Sequence, residues 1–168
     1  MGSEESAALV LSRLTATPAH ELLNRGPQGD AHQLAHVLQL AQAAQARHRE
    51  VTDPVEVLAA FGGVETAVMV GAMLVAASKR HLIMVDGMAA CAALLVAARI
   101  AESVTDYCLF CRSTSHAGLD KALSLFQASA LLQLGLEAAD GTGASLSLPL
   151  VASAAALLTG LADDEGPS

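Results

Sequence analysis

The sequence has no tryptophan, one tyrosine and three phenylalanines, so aromatics make up 2% of a chain whose hydrophobic residues reach 53%. Its core must be built from Ala, Leu and Val, small side chains that suit close helix packing. Basic residues are also scarce. Nine Lys and Arg stand against 17 Asp and Glu, a net charge of −8, and they form no cluster. That excludes a nucleic-acid phosphate partner. Long uninterrupted apolar runs are missing as well. The stretches at 64–78 and 88–100 fall short of the roughly 20 residues of a membrane span, and they carry or adjoin Glu65, Asp86 and Arg99. The opening MGSEES is acidic and unlike a secretion signal. The expectation is a cytoplasmic protein with no membrane or nucleic-acid partner, and 168 residues suffice for one domain with a real core.

Cysteines are few and odd in number: Cys91, Cys108 and Cys111. The last two form a C-x-x-C, but no second pair completes a zinc set. They lie in YCLFC, a strand pattern rather than a helix start, and residues three apart in a strand point to opposite faces. Structural thiols are the reading. His32 and His36 share a helix face without a third ligand, so no metal site is expected.

Periodicity predicts helices over 6–14, 18–23, 31–49, 54–60, 65–79, 88–101, 120–126 and 144–162, with a loop at 24–30. Asp53-Pro54 reads as a capped helix start, and Glu65 as a first-turn partner of a helix dipole. Short apolar runs at 81–86, 107–111 and 131–134 read as strands. Helices alternating with fully apolar strands predict an α/β fold, a short parallel sheet covered by helices. Residues 1–162 form the expected domain and 163–168 a disordered tail; there is no internal repeat. Ligands of such sheets bind past the carboxyl ends of the strands, here Asp86-Gly87, Arg112-Ser113 and the loop at Asp140.

That last loop is the most informative motif. Asp140 precedes Gly141-Thr142-Gly143, and a helix follows. Two readings stand open. Asp140 caps the next helix across an ordinary turn, or it is a base beside an anion held at a helix N-terminus. Asp86 is likewise a cap or a crevice residue. Arg112 and Arg25 either grip an anion or sit in salt bridges, and His116 reads as a loop residue.

These motifs together carry a resemblance. RGPQGD, the run from Asp53 to Ala98, CRS, and LLQLGLEAADGTGASLSLPL are similar to the nicotinate-nucleotide–dimethylbenzimidazole phosphoribosyltransferase family, over about the second half of the usual enzyme. The resemblance implies a three-layer, Rossmann-like α/β domain, truncated relative to the family, and a homodimer. It implies nicotinate mononucleotide and 5,6-dimethylbenzimidazole as substrates, and no cofactor or metal. The family's E-G-T-G base position falls on Asp140, shorter than glutamate by one methylene, with Gly141, Thr142 and Gly143 following. The G-N-T-T phosphate loop falls on Gly2-Ser3-Glu4-Glu5, which puts carboxylates where phosphate would sit. Arg25-Gly26 match the R-G-T-G loop before Pro27-Gln28 depart from it. Val37 stands for a lysine, Glu137 for an arginine, and Cys111-Arg112-Ser113 for H-R-S; Asp86-Gly87 are kept. The missing half leaves apolar faces that a second copy, or a separate chain supplying that half, would cover. A non-catalytic, dimerising module is the alternative.

Overall fold

The computed structural model describes residues 3–26, 29–136 and 141–164. Helices α1 (Ser3–Thr15), α2 (Ala19–Leu22), α3 (Ala31–Arg47), α4 (Pro54–Phe61) and α5 (Val64–Ser78) come first. Strand β1 (Ile83–Asp86), helix α6 (Met88–Ile100), a 3₁₀ turn (Glu102–Tyr107), β2 (Cys108–Thr114), α7 (Ala117–Leu125), β3 (Gln133–Leu136) and α8 (Thr142–Asp164) follow. The expected elements are all present, and the 3₁₀ turn is an addition. Local chemistry sets several boundaries. The Asp53 carboxylate accepts from the N–H groups of Val55 and Glu56 at the start of α4, with Pro54 in the first turn. Asp30 caps α3 by accepting from His32 N–H. Several ends differ from the sequence reading by a few residues, α7 starting at Ala117 and β3 spanning Gln133–Leu136 among them. Strand β2 continues through Arg112 and Ser113 to Thr114, and α8 runs to Asp164; residues 165–168 of the expected tail lie outside the described residues.

The core is centred on α6. Cys91 through Ala97 are buried without a break, the mark of a helix surrounded on all sides. Its alanines let α1 and α5 approach closely, and α1 buries Ala7 through Leu11 in return. Each Leu or Val interred there contributes about 1.5–3 kcal/mol.

The sheet has order β1-β2-β3, all parallel. Val85 pairs with Phe110 and Asp86 with Cys111, so alternation sorts the side chains into two sets. Val85 and Phe110 join the core around α6. Asp86, Cys111 and Ser113 point the other way, toward α8, where Cys111 Sγ meets Ser147 Oγ at 3.4 Å. The result is helix, sheet, helix: three layers.

Only the first turns of α8 rest on the sheet. Leu148, Leu150, Leu157 and Leu158 are exposed. The 19 residues Thr142–Gly160 are long and apolar enough to cross a membrane by length and composition, a property the sequence reading had not assigned to this segment. On α5, Val64, Val68 and Val75 are also exposed. These are large apolar surfaces for one domain, the kind that a partner surface covers.

Among the described glycines the tightest backbone approach lies at Gly118 in α7. A Cβ there would fall 1.9 Å from the carbonyl oxygen of Leu22, and Gly118 N–H donates to Asn24 O at 2.8 Å. Gly118→Ala must push α7 off α2 and should lower stability by about 3 kcal/mol. Gly71→Ala, in open space on α5, should instead raise it by roughly 0.5–1 kcal/mol. Urea midpoints at constant slope check both.

Candidate functional site

Strands β1 and β2 end beside the start of α8, and one carboxylate joins all three. Asp86 accepts from Ser113 N–H at 3.0 Å, from the Ser113 hydroxyl at 2.5 Å and from Ala144 N–H at 3.1 Å. Ser113 Oγ in turn accepts from Gly143 N–H at 2.7 Å. Two of the N–H groups that a helix start leaves unpaired are therefore satisfied by side chains from the sheet. Asp86 is a cap, as one sequence reading held, but for α8 rather than for α6, whose N-cap is Gly87 without a side-chain bond. A carboxylate at a helix N-terminus is favoured by charge-assisted bonding and by the dipole.

The turn entering α8 is built for this contact. Gly141 has φ of +73°, a left-handed conformation that glycine adopts without strain. At Gly143 a Cβ would sit 3.0 Å from both Asp86 Oδ2 and Ser113 Oγ, so a side chain there would press the pair back by a few tenths of an ångström. Thr142 is the first residue of α8. Asp140, the proposed base, lies outside the described residues, as do Gly2 and Glu137; of Ser3 only the backbone, at the start of α1, is described.

Arg112 does not share this crevice. It is a strand residue whose side chain alternates to the face opposite Ser113. Its guanidinium pairs with both carboxylate oxygens of Asp120 and donates to Thr114 O at 3.0 Å and His116 O at 3.5 Å. With its side chain only 15% exposed, this arginine is in the salt-bridged state that the sequence left as one of two options.

Arg25 lies in a separate cavity of about 240 Å³, bordered by Glu4, Glu5, Leu22, Arg25, Gly26, Asp30, Val37 and His116. Its Nη2 sits 3.0 Å from Glu4 Oε2 and 3.4 Å from Glu5 Oε1. Gly26 packs near the start of α7, its virtual Cβ 3.7 Å from Ala117 Cβ. His116 is half-buried, and desolvation pulls its pKa below the ordinary imidazole value, partly offset by Glu4. Its Nδ1 is buried and makes no hydrogen bond among the described residues. Sequence reasoning treated His116 as a plain loop residue. Gly118, two positions on, packs its backbone against Leu22 of α2, and His116 borders the cavity.

The cysteines behave as structural groups. Burial pushes the Cys91 thiol up to about 12 and Cys108 up to about 11, and raises Cys111 as well. Among the described residues no cluster of three His, Cys, Asp or Glu could hold a metal.

Comparison with known proteins gives a consistent picture. A family described as phosphoribosyltransferase matches residues 1–166. The nicotinate-nucleotide–dimethylbenzimidazole phosphoribosyltransferase of Cupriavidus taiwanensis is 42% identical over 99% of this chain and 48% of its own length. That of Dechloromonas aromatica is 40% identical over 98% of this chain and 48% of its own. The crystal structure of the like-named enzyme from Thermus thermophilus superposes with a TM-score of 0.85 at 28% identity, covering 95% of this chain and 47% of that one. A structure titled CobT from the same organism gives 0.86, also at 28% identity, over 95% and 48%. The chain thus spans about half the length of the relatives it matches.

Asp86→Ala leaves the Ser113 and Ala144 N–H groups without their acceptor and should cost about 1–3 kcal/mol, read as a drop in Tm. The thiols should resist alkylation at pH 8 in the folded protein and react quickly in urea. Their raised pKa values stabilise the fold fully below pH 9, the ordinary thiol value; that contribution is lost as pH rises from 9 toward 11–12. Alkaline unfolding curves measure it.

Proposed function

The chain belongs to the phosphoribosyltransferase family, and from that premise we propose that it is the carboxyl-terminal half of a nicotinate-nucleotide–dimethylbenzimidazole phosphoribosyltransferase. In the reaction proposed, a ring nitrogen of 5,6-dimethylbenzimidazole attacks the anomeric carbon of nicotinate mononucleotide. Nicotinate leaves with the electron pair of the glycosidic bond, and α-ribazole 5′-phosphate forms with inversion. Asp140 takes the proton that the benzimidazole gives up. Gly141 and Thr142 hold the ribose side of the donor with backbone N–H groups, Gly143 lets the turn close beside it, and Asp86 and Ser113 are positioning residues. This reading places the protein in cobalamin biosynthesis and in the cytoplasm, with no cofactor.

The observation that carries it is the four-residue lock of Asp86, Ser113, Gly143 and Ala144. It fixes the turn directly after Asp140 at the carboxyl ends of β1 and β2, where parallel sheets bind ligands. A base must be held within about 1 Å of its working place to be effective, and a rigid turn anchored to two strands does this better than a free loop.

The rest of the site comes from outside the chain. The exposed leucines of α8 and valines of α5 are the faces that the complementary half, or a second copy in a homodimer, would cover. The test mixes this chain with the amino-terminal half of the Cupriavidus taiwanensis relative and follows α-ribazole 5′-phosphate by chromatography. Product should form with the mixture, and Asp140→Asn should lower kcat by roughly 100-fold or more. An Asp140→Asn mixture as active as the parent, or no product from any mixture, would sink the proposal.

A further inference from the structure

Two apolar faces of this chain are uncovered, and they match each other. Of residues 148–160 in α8 only Val151 is half-buried; the others are exposed. Before this stretch, Gly143 and Ser147 are buried against the sheet. Pro149 stands at the boundary and has no N–H to close the helical turn on Ser145. Beyond it α8 is an arm of mostly alanine and leucine, and a helix apolar all round is one that something buries. A bilayer is a poor cover. A span needs about 20 residues, and the part of α8 free of the sheet is shorter. The arm also closes on Asp163 and Asp164, where a membrane-facing helix favours Lys or Arg.

Helix α5 offers the complementary surface. Val64, Ala67, Val68, Ala72 and Val75 are exposed along one stripe at helical spacing. The helix has 15 residues, and residues 150–164 of α8 are as many, about 22 Å each. Laid parallel, Leu150 falls near Val64, Leu157 and Leu158 fall between Val68 and Val75, and the acidic end of α8 reaches Lys79 and Arg80. Those two cations directly follow α5, are exposed, and make no ion pair among the described residues. Within one chain the two faces belong to different layers. α8 lies on the sheet beside Cys111, whereas α5 packs on α6 at the other side. A second copy brings them together, and a two-fold axis makes the same contact twice.

We infer that the arm of α8 docks along α5 of a second copy, in a reciprocal exchange that joins two chains. The apolar stripes supply the contact, and Asp163 and Asp164 against Lys79 and Arg80 fix its direction. The inference concerns assembly alone and stands whether or not the chain transfers a ribosyl group.

Light scattering on the full chain tests it, with circular dichroism to check that every variant is folded. The parent should give twice its 17.1 kDa. Leu157→Asp/Leu158→Asp should give the monomer, and so should Val68→Asp, which a pairing of α8 with α8 would leave dimeric. Mixed together, those two variants should pair again, more weakly, since one arm and one α5 stripe remain intact between them. Lys79→Glu/Arg80→Glu should weaken the dimer about tenfold, and adding Asp163→Lys/Asp164→Lys should restore it. A monomeric parent overturns the inference, whether it binds the amino-terminal half of the Cupriavidus taiwanensis relative, floats with phosphatidylcholine–phosphatidylglycerol vesicles, or does neither. So does a dimer that survives either apolar substitution, or a charge reversal that has no effect or is not rescued by the second pair.

Discussion

The carboxylate of Asp86 is the contact on which the architecture of the site depends. It ends β1, bonds the backbone and hydroxyl of Ser113 in β2, and caps α8, 58 residues along the chain. A helix of small apolar residues has no strong reason to stop or start at a given point. Here its first turn is decided by a charge-assisted bond from the sheet, and Gly143 leaves room for that bond.

Neighbours in sequence serve different faces because β2 is a strand. Ser113 joins Asp86 under α8, whereas Arg112 turns to Asp120 and the start of α7. The two arginines left open between an anion and a salt bridge are both matched by carboxylates, Arg112 by Asp120 and Arg25 by Glu4 and Glu5. Among the described residues Arg49 and Lys121 are also ion-paired, while Arg13 and Arg99 donate to backbone carbonyls instead.

The exposed side chains of α8 and α5 tell a parallel story about size. A domain covering about half the length of its relatives keeps the core around α6 intact, since α1, α5 and α6 bury one another. What it leaves open is the outer layer. Exposed apolar faces of this size are the kind that a partner surface covers.

Helix periodicity, the cap at Asp53, the apolar strands and the turn at Gly141 were legible because each is decided by residues close together in the chain. The resemblance added the order of the loops. Where β2 ends was not legible: polar Arg112 and Ser113 look like a loop, and only pairing with β3 and the bond to Asp86 keep them in the sheet. Nor was the place of His116 visible, since it borders a cavity whose other walls, Glu4, Leu22 and Val37 among them, come from distant parts of the chain. Sequence by itself determined which segments are helix or strand and which loops hold glycine, because those are local matters of period, capping and backbone freedom. Tertiary structure decided which charges meet: Asp86 with α8, Arg25 with Glu4 and Glu5, Arg112 with Asp120. Electrostatic pairing acts through space over a few ångströms, and the distance along the chain says little about it.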